Sequence, residues 1–391
     1  MDDDHETTAA RLRERLVTYL RRSRAITSPR VEEAFRRVPR HAFLSGLSLE
    51  DAYRDDAIVT RTSGGLPSSS SSQPSMMAIM AEQLELEPGH RALEIGAGTG
   101  YNAALLRELV GLEGKIVTVE IQSDVAREAR SNLERAGYPD VLVVSGDGGF
   151  GSLRGAPYDR IILTASSSDI SPHWVEQLTE GGLLVMPFRF STMCLCVALE
   201  KRGRTMSNRS VTWCGFMPLQ GAYGADVTGA DPRVAMGDGL YISGPGSRGL
   251  SLKLLEELLA QTPRRVSELV IPVNDFGLGG GLGTYLGLAE PRLIDIFTTQ
   301  PERWGFHYIS GLLDAKEQSL CLVRRDGIVV YGTDAAAEEF KQRAMEWVEM
   351  GRPGVDSIRL LGKPSGTSTE QPGRWLLRRK HYDFEIWFEA P

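Results

Sequence analysis

The apolar positions between residues 76 and 190 form short continuous runs separated by stretches with helical periodicity. Short apolar runs are typical of strands buried on both faces of a sheet, whereas apolar positions three or four residues apart indicate amphipathic helices. Their alternation predicts a doubly wound α/β sheet. The predicted strands cover 92–95, 115–120, 141–144, 159–164 and 182–187, the predicted helices cover 76–86, 102–110, 124–136 and 172–178, and a closing hairpin covers 194–199 and 210–213.

The segments before this region predict helices and a loop-rich lead-in. Apolar residues at helical spacing predict a helix over residues 8–22, after a polar start that we expect to be frayed. Ser28 followed by Pro29 is typical of the first turn of a second helix. The five consecutive serines at 68–72 are interpreted most simply as a flexible linker. A loop at this position, before the helix at residue 76, can also face a ligand at the sheet edge.

The composition changes at about residue 221. Residues 221–249 are rich in glycine and predict a connector with little regular structure. The pattern beyond it predicts a separate α+β domain, in which the glycine cluster at 276–285 is interpreted as turns because it lacks the flanks of a phosphate loop. The predicted helices of this domain cover 252–261 and 334–350, and its predicted strands cover 268–273, 320–331, 357–361 and 375–388. The predicted division is a lead-in (1–75), an α/β domain (76–222) and an α+β domain (223–391).

A glycine-rich turn directly follows the first predicted strand. Gly96, Gly98 and Gly100 have the spacing Gly-x-Gly-x-Gly, which differs from the Gly-x-Gly-x-x-Gly of dinucleotide-binding folds. Glycines let the backbone approach a ligand closely and adopt conformations that are unfavourable for other residues. Glu94 lies just before the turn, where an acidic side chain suits a ligand that is cationic at that point, such as S-adenosylmethionine (SAM).

Two further acidic residues follow the next two predicted strands. Glu120 ends the second strand, where a carboxylate can accept hydrogen bonds from both ribose hydroxyls of an adenosine. Asp147 follows the third strand and is predicted to accept a hydrogen bond from the adenine amino group, while Gly148 leaves space for the ring. The alternatives are a solvated strand end for Glu120 and a simple Asp-Gly turn for Asp147. The order of strands and acids favours a nucleoside-containing cofactor.

Composition narrows the range of functions. The chain has 391 residues, of which 44 are Lys or Arg and 51 are Asp or Glu, giving a formal net charge of −7. This acidic balance argues against general nucleic-acid binding. The four cysteines form no Cys-x-x-Cys pair and the six histidines are scattered, so no metal site is predicted. With neither a signal peptide nor an apolar run long enough to span a bilayer, we expect a cytoplasmic protein without membrane contact.

Several short motifs follow one another over the first half of the chain. They are Arg-His-x-Phe (40–43), Ala-Tyr-x-Asp (52–55), Ser-x-Pro-x-Met (72–76), Leu-Glu-Ile-Gly-x-Gly-x-Gly-Tyr (93–101), Gly-Asp-Gly (146–148), and the segments 157–162, 178–187 and 216–219. Their order resembles the protein-L-isoaspartate O-methyltransferase family, over roughly residues 10–222. The resemblance implies a Rossmann-like, SAM-dependent methyltransferase fold, followed here by the predicted C-terminal α+β domain.

The resemblance also implies site residues. Ser72 corresponds to the active-site serine, whose hydroxyl would bind the substrate carboxylate near the methyl donor. The serines before it replace the Gln-Thr-Ile that is usual in the family. The residues implied to contact the substrate are Ser71, Ser75, Ile58 and Thr164, and those implied to bind SAM, or its product S-adenosyl-L-homocysteine, are Glu94, Gly96, Ala97, Gly98, Gly100, Tyr101, Glu120, Ile121, Asp147 and Gly148.

The implied reaction is methyl transfer to a carboxylate. A carboxylate is ionised near neutral pH and needs no general base, so positioning is the main catalytic contribution. In a repair enzyme, the methylated residue is isoaspartate in damaged proteins, and the imide that forms from the ester hydrolyses. In a tailoring enzyme for ribosomally made peptides (RiPPs), such as graspetides and lanthipeptides, a normal Asp is methylated and the aspartimide is kept.

The residues beyond 222 favour the second outcome, because the repair enzymes of the family resemble residues 10–222 alone. We therefore expect a modified precursor peptide carrying the target Asp as the partner, recognised by the C-terminal domain of a monomer or weak dimer. Protein repair is the alternative. A non-catalytic adaptor is disfavoured because Ser72, Glu94 and Glu120 are all present. A small-molecule methyltransferase is disfavoured because the Ser-Gln-Pro segment indicates a carboxylate on a peptide.

Overall fold

The computed structural model describes residues 2–63, 66–224, 234–237, 239–247, 250–266, 280–324 and 327–389. Within these ranges the helices are α1 (Asp2–Arg22), α2 (Pro29–Arg37), α3 (Leu49–Ala52), α4 (Pro74–Leu84), α5 (Tyr101–Val110), α6 (Ser123–Arg135), α7 (Pro172–Gln177), α8 (Leu252–Leu259), α9 (Gly281–Ala289), α10 (Pro301–Trp304) and α11 (Ala335–Glu349). The first helix thus begins at Asp2, where a frayed start was expected.

The strands of the described residues fall into a hairpin and two larger sheets. They are β1 (Ile58–Ser63), β2 (Leu66–Ser71), β3 (Arg91–Ile95), β4 (Lys115–Glu120), β5 (Leu142–Ser145), β6 (Tyr158–Leu163), β7 (Leu178–Phe190), β8 (Met193–Arg202), β9 (Thr205–Trp213), β10 (Val234–Gly237), β11 (Leu240–Ser243), β12 (Arg264–Val266), β13 (Leu293–Thr298), β14 (Tyr308–Asp314), β15 (Ser319–Arg324), β16 (Gly327–Gly332), β17 (Ile358–Pro364), β18 (Trp375–Arg378) and β19 (Tyr382–Phe388).

The larger sheet has the strand order β18-β19-β17-β9-β8-β7-β6-β3-β4-β5. Strands β5, β4, β3, β6 and β7 are parallel, and the remaining neighbours are antiparallel. The predicted doubly wound α/β fold is therefore confirmed. The chain order reverses beside β3, since β4 and β5 lie on one side of it and β6 and β7 on the other. Ligands of such sheets bind at this switch point, at the carboxyl ends of the strands.

Apolar side chains cover both faces of the parallel strands, which explains their continuous apolar runs. On one face, helices α1, α2, α4 and α5 contribute buried residues to one core. On the other face, α7 packs with residues of β17 and β19 in a second core, where Trp174 is fully buried. The N-terminal lead-in is thus part of the core of the larger sheet.

The last strands of the chain complete the same sheet. Strand β17 pairs with β9, and β19 pairs along the whole of β17. Phe384 on β19 packs on Phe188 of β7, with ring centroids 4.5 Å apart. The predicted boundary after residue 222 therefore does not divide the chain into two sheets, because residues 358–388 join the sheet of the first half. The single strand predicted over 375–388 is instead the antiparallel pair β18 and β19.

A buried aspartate fixes the start of β19 to the first half of the chain. Asp169 is 1% exposed. Its carboxylate accepts hydrogen bonds from the backbone amides of Ile170 (2.8 Å), His381 (2.9 Å) and Tyr382 (3.1 Å). Burial raises the pKa of this carboxyl above its usual value, and the amide donors act in the opposite direction. Asp169 thus joins segments about 210 residues apart in sequence.

The smaller sheet is antiparallel, with the order β10-β11-β13-β14-β15-β16-β12. Helix α8 packs on one face, and α9 and α11 pack on the other. Helix α9 also contacts the β7–β8 hairpin of the larger sheet. At that contact Gly287 lies against Met193, and a Cβ on Gly287 would lie 2.6 Å from the Met193 Cγ. The two sheets therefore share a packed interface.

The C-terminal elements show which local patterns were informative. The hairpin predicted over 320–331 is confirmed as β15 and β16, although Asp326 at its predicted tip lies outside the described residues. The predicted strand 268–273 also lies outside them. The glycine cluster was interpreted as turns, but from Gly281 it forms helix α9. The strands from β10 to β14 were not predicted. Two of them, β10 and β11, lie within residues 221–249, so the expectation of a connector with little regular structure was wrong there, because both strands pair within the smaller sheet.

The serine run forms a strand and not a flexible linker. Strand β2 pairs with β1 in an antiparallel hairpin, in which Ser71 lies opposite Ile58 and Ser70 lies opposite Val59. Serine has little intrinsic preference for strands, so the cross-strand pairing determines the conformation here. The hairpin leads directly into α4 and brings the serines to the carboxyl edge of the parallel strands.

Candidate active site

A cavity of about 830 Å³ opens at the carboxyl edge of the parallel strands. Its walls are the serine strand β2, the glycine turn after β3, the end of β4, and the segment 215–221. A larger cavity of about 1090 Å³ lies against the smaller sheet and contains none of the site residues predicted from the sequence. We assign the smaller cavity as the active site, because it lies at the switch point of the strand order.

Two glycines of the turn occupy positions that disfavour a side chain. Gly96 has a φ of +100°, and a Cβ there would lie 2.4 Å from the Thr164 Oγ1. Gly98 has a φ of +51°, and its Cβ would lie 3.1 Å from the Ser70 carbonyl oxygen. The turn is therefore packed between the end of β6 and the serine strand, and Gly96 and Gly98 border the cavity with backbone alone. Ala97 and Tyr101 also line the cavity, whereas Gly100 does not.

Glu120 is held at the end of β4 by the glycine turn. Its Oε2 accepts a hydrogen bond from the Gly98 amide and its Oε1 from the Gln122 amide, both at 3.1 Å. A carboxylate has about four lone-pair sites, so Glu120 can accept further hydrogen bonds from a ligand diol. Ile121 beside it is 38% exposed and lines the same cavity, where it offers apolar surface to a ring.

Glu94 lies at the base of the cavity and is fully buried. Its Oε1 accepts a hydrogen bond from the Asn102 Nδ2 at 2.7 Å, and its Oε2 accepts one from the Thr118 Oγ1 at 2.6 Å. Burial raises the pKa of this carboxyl to about 7, the two donors lower it, and the neighbouring Glu120 raises it. A cationic ligand nearby would favour the ionised form.

The titration of Glu94 predicts a pH-dependent stability. Because its pKa is raised in the folded chain, its stabilising contribution is complete below the unfolded pKa near 4.5 and is lost as the pH rises through about 7. Between about pH 4.5 and pH 8, the free energy of unfolding should fall by about 3 kcal/mol relative to Glu94→Gln, whose amide mimics the protonated acid. Urea unfolding of both proteins across this range measures the difference. Parallel curves would show that Glu94 does not titrate there.

Asp147 has a different setting from the one the sequence predicted. Its Oδ1 accepts a hydrogen bond from the Gly149 amide at 2.8 Å, and its Oδ2 accepts one from the Ala222 amide at 2.7 Å. Asp147 is not among the residues that line the cavity, although Gly148 and Gly221 are. The carboxylate fixes the segment after residue 220 over this end of the site. A contact with adenine, as the sequence predicts, would add to these two hydrogen bonds.

The serine strand closes one side of the cavity. It is held by the Gln122 Nε2, which donates to the Ser68 carbonyl at 2.9 Å. Ser71 is 3% exposed, and its Oγ has no hydrogen-bond partner in the part of the chain that the structure describes. Ser72 is half-buried, and both Ser71 and Ser72 line the cavity. The structure thus places the predicted catalytic serine on the wall that faces the glycine turn.

A buried arginine positions the end of this strand. Arg40, from the Arg-His-x-Phe motif, is fully buried and donates to the carbonyl oxygens of Ala52 (3.0 Å), Asp56 (3.4 Å) and Ser72 (3.0 Å). Its guanidinium lies over the Tyr101 ring, 5.2 Å from the centroid. Burial lowers the pKa of Arg40, but a guanidinium stays charged at neutral pH. Arg40 therefore links the N-terminal helices to Ser72.

Three predicted substrate residues have structural partners. Thr164 lines the cavity, and its hydroxyl donates to the Gly96 carbonyl oxygen at 2.6 Å. Ser75 and Ile58 do not line the cavity. The Ser75 amide donates to the Asp55 Oδ1 at 2.8 Å, and Ile58 packs on the core of the N-terminal helices. Of the predicted substrate and catalytic residues, Ser71, Ser72 and Thr164 line the cavity, whereas Ser75 and Ile58 do not.

The sequence analysis assigned no site role to Arg189 or to the segment 215–219, although residues 216–219 were among the motifs of the resemblance. Arg189 lies near the carboxyl end of β7 and lines the cavity. The only available signal was its position, because side chains at the carboxyl ends of parallel strands face the ligand crevice. The segment 215–219 follows β9 and reaches the cavity through a bridge between Ser166 and Pro218.

The described residues also limit other kinds of site. No helix among them is long and apolar enough to cross a membrane. Over the same residues, no three His, Cys, Asp or Glu side chains are grouped so that they could hold a metal ion. All four cysteines are free and buried.

Curated proteins similar to this chain share one description. The chain is 36% identical over 221 residues to protein-L-isoaspartate O-methyltransferase 2 of Archaeoglobus fulgidus, which covers 56% of this chain and 96% of the relative. It is 40% identical over 216 residues to the protein-L-isoaspartate O-methyltransferase of Methanopyrus kandleri, which covers 55% of this chain and 93% of the relative.

Two solved structures are also similar to this chain. A protein-L-isoaspartate O-methyltransferase structure covers 89% of this chain and 96% of its own, with a TM-score of 0.53 and 25% identity. Another, from Plasmodium falciparum in complex with S-adenosyl-L-homocysteine, covers 52% of this chain and 96% of its own, with a TM-score of 0.46 and 20% identity. The sequence model described as "Protein-L-isoaspartate(D-aspartate) O-methyltransferase (PCMT)" matches residues 11–224. This match spans more than half of the chain and shows that the chain belongs to that family, as a SAM-dependent protein carboxyl O-methyltransferase.

Proposed function

We propose that this chain methylates the free carboxylate of isoaspartyl residues in proteins and peptides. One observation carries the proposal: the family match at 11–224 includes every described residue that lines the cavity, from Pro67 to Gly224. The curated relatives named for this substrate align over 93% to 96% of their own length. The similarity thus covers the whole catalytic unit of those relatives.

The comparisons support an isoaspartyl substrate better than the precursor peptide that the sequence favoured. That hypothesis rested on the expectation that repair enzymes end near residue 222. A solved protein-L-isoaspartate O-methyltransferase superposes on 89% of this chain, which is more than the match at 11–224 provides. The C-terminal extension is therefore no mark of a dedicated peptide partner. A graspetide or lanthipeptide precursor whose Asp becomes an aspartimide remains the alternative that the assay below separates.

The residues of the cavity fit SAM. The backbone of the glycine turn borders the cavity, and Gly148 has no room for a side chain, since a Cβ would lie 2.4 Å from the Ile95 Cγ2. Glu120 offers carboxylate oxygens at the end of β4, where a ribose diol binds in folds of this kind. When bound, SAM supplies a methyl group made electrophilic by the sulfonium. The neighbouring acids Glu94 and Glu120 complement a cationic donor.

The chain itself contributes positioning and exclusion of water. We assign to Ser72 the role of donating a hydrogen bond to one oxygen of the acceptor carboxylate, while the other oxygen attacks. The carboxylate is already ionised, so no side chain has to remove a proton. Strand β2 and the segment 215–221 cover the reacting groups, and alignment supplies most of the rate increase. The ester is then attacked by the following backbone nitrogen and expels methanol, which leaves an imide that water opens.

We also propose that residues 223–391 act as an accessory region that contributes to substrate binding. The cavity of about 1090 Å³ lies between the smaller sheet and the β7–β8 hairpin, with Met193 on its wall. The same hairpin carries Arg189 into the active-site cavity. An extended peptide could thus contact both sheets.

A methyl-transfer assay with matched peptides tests the proposed substrate. With radiolabelled SAM, the full-length chain should methylate an isoaspartyl peptide with a kcat/KM at least roughly 100-fold above that of the same peptide containing Asp, since misplaced carboxylates lose alignment. A peptide with isoasparagine is the blank. A cross-linked precursor peptide containing Asp completes the panel. Methylation of that precursor without methylation of the isoaspartyl peptide would overturn the proposal and support peptide maturation.

A further inference from the structure

Arg189 is a cation without a carboxylate partner on the wall of the active site. It is half-buried, and it forms no ion pair within the described residues. Its Nε lies 3.5 Å from the Ser166 Oγ, and its Nη2 lies 3.4 Å from the Phe216 carbonyl oxygen. Both distances are at the long limit for hydrogen bonds, so these contacts leave most of its donor capacity unused. A half-buried guanidinium with unused donors is suited to bind an anion.

Ser71 supplies an independent observation. Its hydroxyl is buried, lines the same cavity, and has no partner among the described residues. Leaving a buried hydroxyl without a hydrogen bond costs about 1–3 kcal/mol, and a ligand in the cavity can supply the missing partner. Strand pairing holds the backbone of Ser71 opposite Ile58, which keeps the residue in place.

Charge is unevenly distributed around the cavity. Glu94 and Glu120 supply negative charge at the ends of β3 and β4, where the donor nucleoside binds. Among the described lining residues, Arg189 alone is positively charged, and it lies beyond β6 on β7. The anionic partner in methyl transfer is the acceptor carboxylate, so the positive end of the cavity is its natural position.

We propose that Arg189 and the Ser71 hydroxyl bind the carboxylate that accepts the methyl group. This inference rests on the proposed carboxyl methylation. It adds a charged contact from Arg189 to the hydrogen bond that Ser72 is proposed to donate to the same carboxylate. A carboxylate has two oxygens, so these donors can hold one oxygen while a lone pair of the other forms the new O–CH₃ bond. The C–S bond breaks with its electron pair remaining on sulfur. The ester is neutral and loses its attraction to Arg189, which assists product release.

Binding of matched peptides isolates the carboxylate contact. In the presence of S-adenosyl-L-homocysteine, calorimetry compares the isoaspartyl peptide with the isoasparagine peptide, whose acceptor carboxylate is an amide. Arg189→Met should weaken the acid peptide roughly 10–100-fold and leave the amide peptide unchanged, because only the acid uses the ion pair. Arg160→Met is the matched control, since Arg160 bonds to the Leu84 carbonyl outside the cavity. The control should bind both peptides normally.

Ser71→Ala distinguishes a serine that binds the ligand from one that only stabilises the fold. It removes an unsatisfied buried oxygen, so the free chain should be as stable as wild type or more stable, while the acid peptide binds roughly 5–10-fold more weakly. The inference would be overturned if Arg189→Met weakened the binding of the acid and amide peptides equally. It would also be overturned if Arg189→Met and Ser71→Ala both bound the acid peptide as tightly as the wild type does. Methyl transfer is scored separately. If the acid peptide binds through Arg189 but is not methylated, the proposed function is contradicted and the inference about Arg189 is not.

Discussion

Replacing Gly96 by alanine is expected to lower the affinity for SAM at least roughly 100-fold. Gly96 has a φ of +100°, a conformation that costs other residues about 1–3 kcal/mol. The added Cβ would also lie 2.4 Å from the Thr164 Oγ1, whose hydroxyl is bonded to the Gly96 carbonyl oxygen. The turn must therefore move, and it carries the Gly98 amide that holds Glu120. Titration calorimetry with SAM measures the loss.

Two variants separate backbone strain from steric overlap. Gly89→Ala introduces a side chain at a φ of +86° with nothing within 4 Å, so it should leave SAM affinity unchanged. In Gly96→Ala combined with Thr164→Ala, the overlapping oxygen is absent, and part of the affinity should return. Wild-type affinity in Gly96→Ala would show that the turn does not determine cofactor binding.

Asp169→Ala is expected to lower the free energy of unfolding by about 3–5 kcal/mol. The substitution leaves three backbone amides without their acceptor, the buried ones of Ile170 and Tyr382 and the partly buried one of His381. The Tyr382 amide begins β19 and the His381 amide directly precedes it, so the loss should detach the last strands from the first half of the chain. Urea unfolding measures the stability, and hydrogen exchange at Tyr382 should become faster in the same variant.

Asp159→Ala is the matched control for this effect. Asp159 is half-buried and accepts one backbone hydrogen bond, from the Arg91 amide at 2.9 Å. Its removal should cost about 1 kcal/mol. If Asp169→Ala were no more destabilising than Asp159→Ala, the carboxylate would not be what holds β19 in place.

The parallel strands of the doubly wound sheet could be predicted because buried strands are continuous apolar runs that alternate with helices. The pairing of β9 with β17 could not, because nothing in a local pattern identifies a partner so distant in sequence. The serine run shows the opposite difficulty. Its composition is that of a linker, and it becomes a strand only because β1 pairs with it and Gln122 binds the Ser68 carbonyl.

Sequence motifs predicted the residues on the cofactor side of the cavity more readily than those on the substrate side. Glu120 and the glycines occupy positions that the sheet edge determines. The burial of Glu94 depends on Asn102 and Thr118, which lie on other elements, and the role of Asp147 depends on the Ala222 amide. Arg189 had no motif at all. Substrate contacts come from loops and strand ends brought together by the fold, and spacing along the chain does not encode them.

The strand that joins the end of the chain to the methyltransferase sheet has a consequence for protein synthesis. Asn208 on β9 contacts Ile358 on β17 across 150 residues, so the edge of β9 stays open until that segment leaves the ribosome. Contacts so distant in sequence form slowly, and an exposed strand edge can pair with a neighbouring nascent chain. The sheet is therefore complete only after β17 has been synthesised, and slow synthesis or chaperone binding at this edge favours recovery of the enzyme in active form.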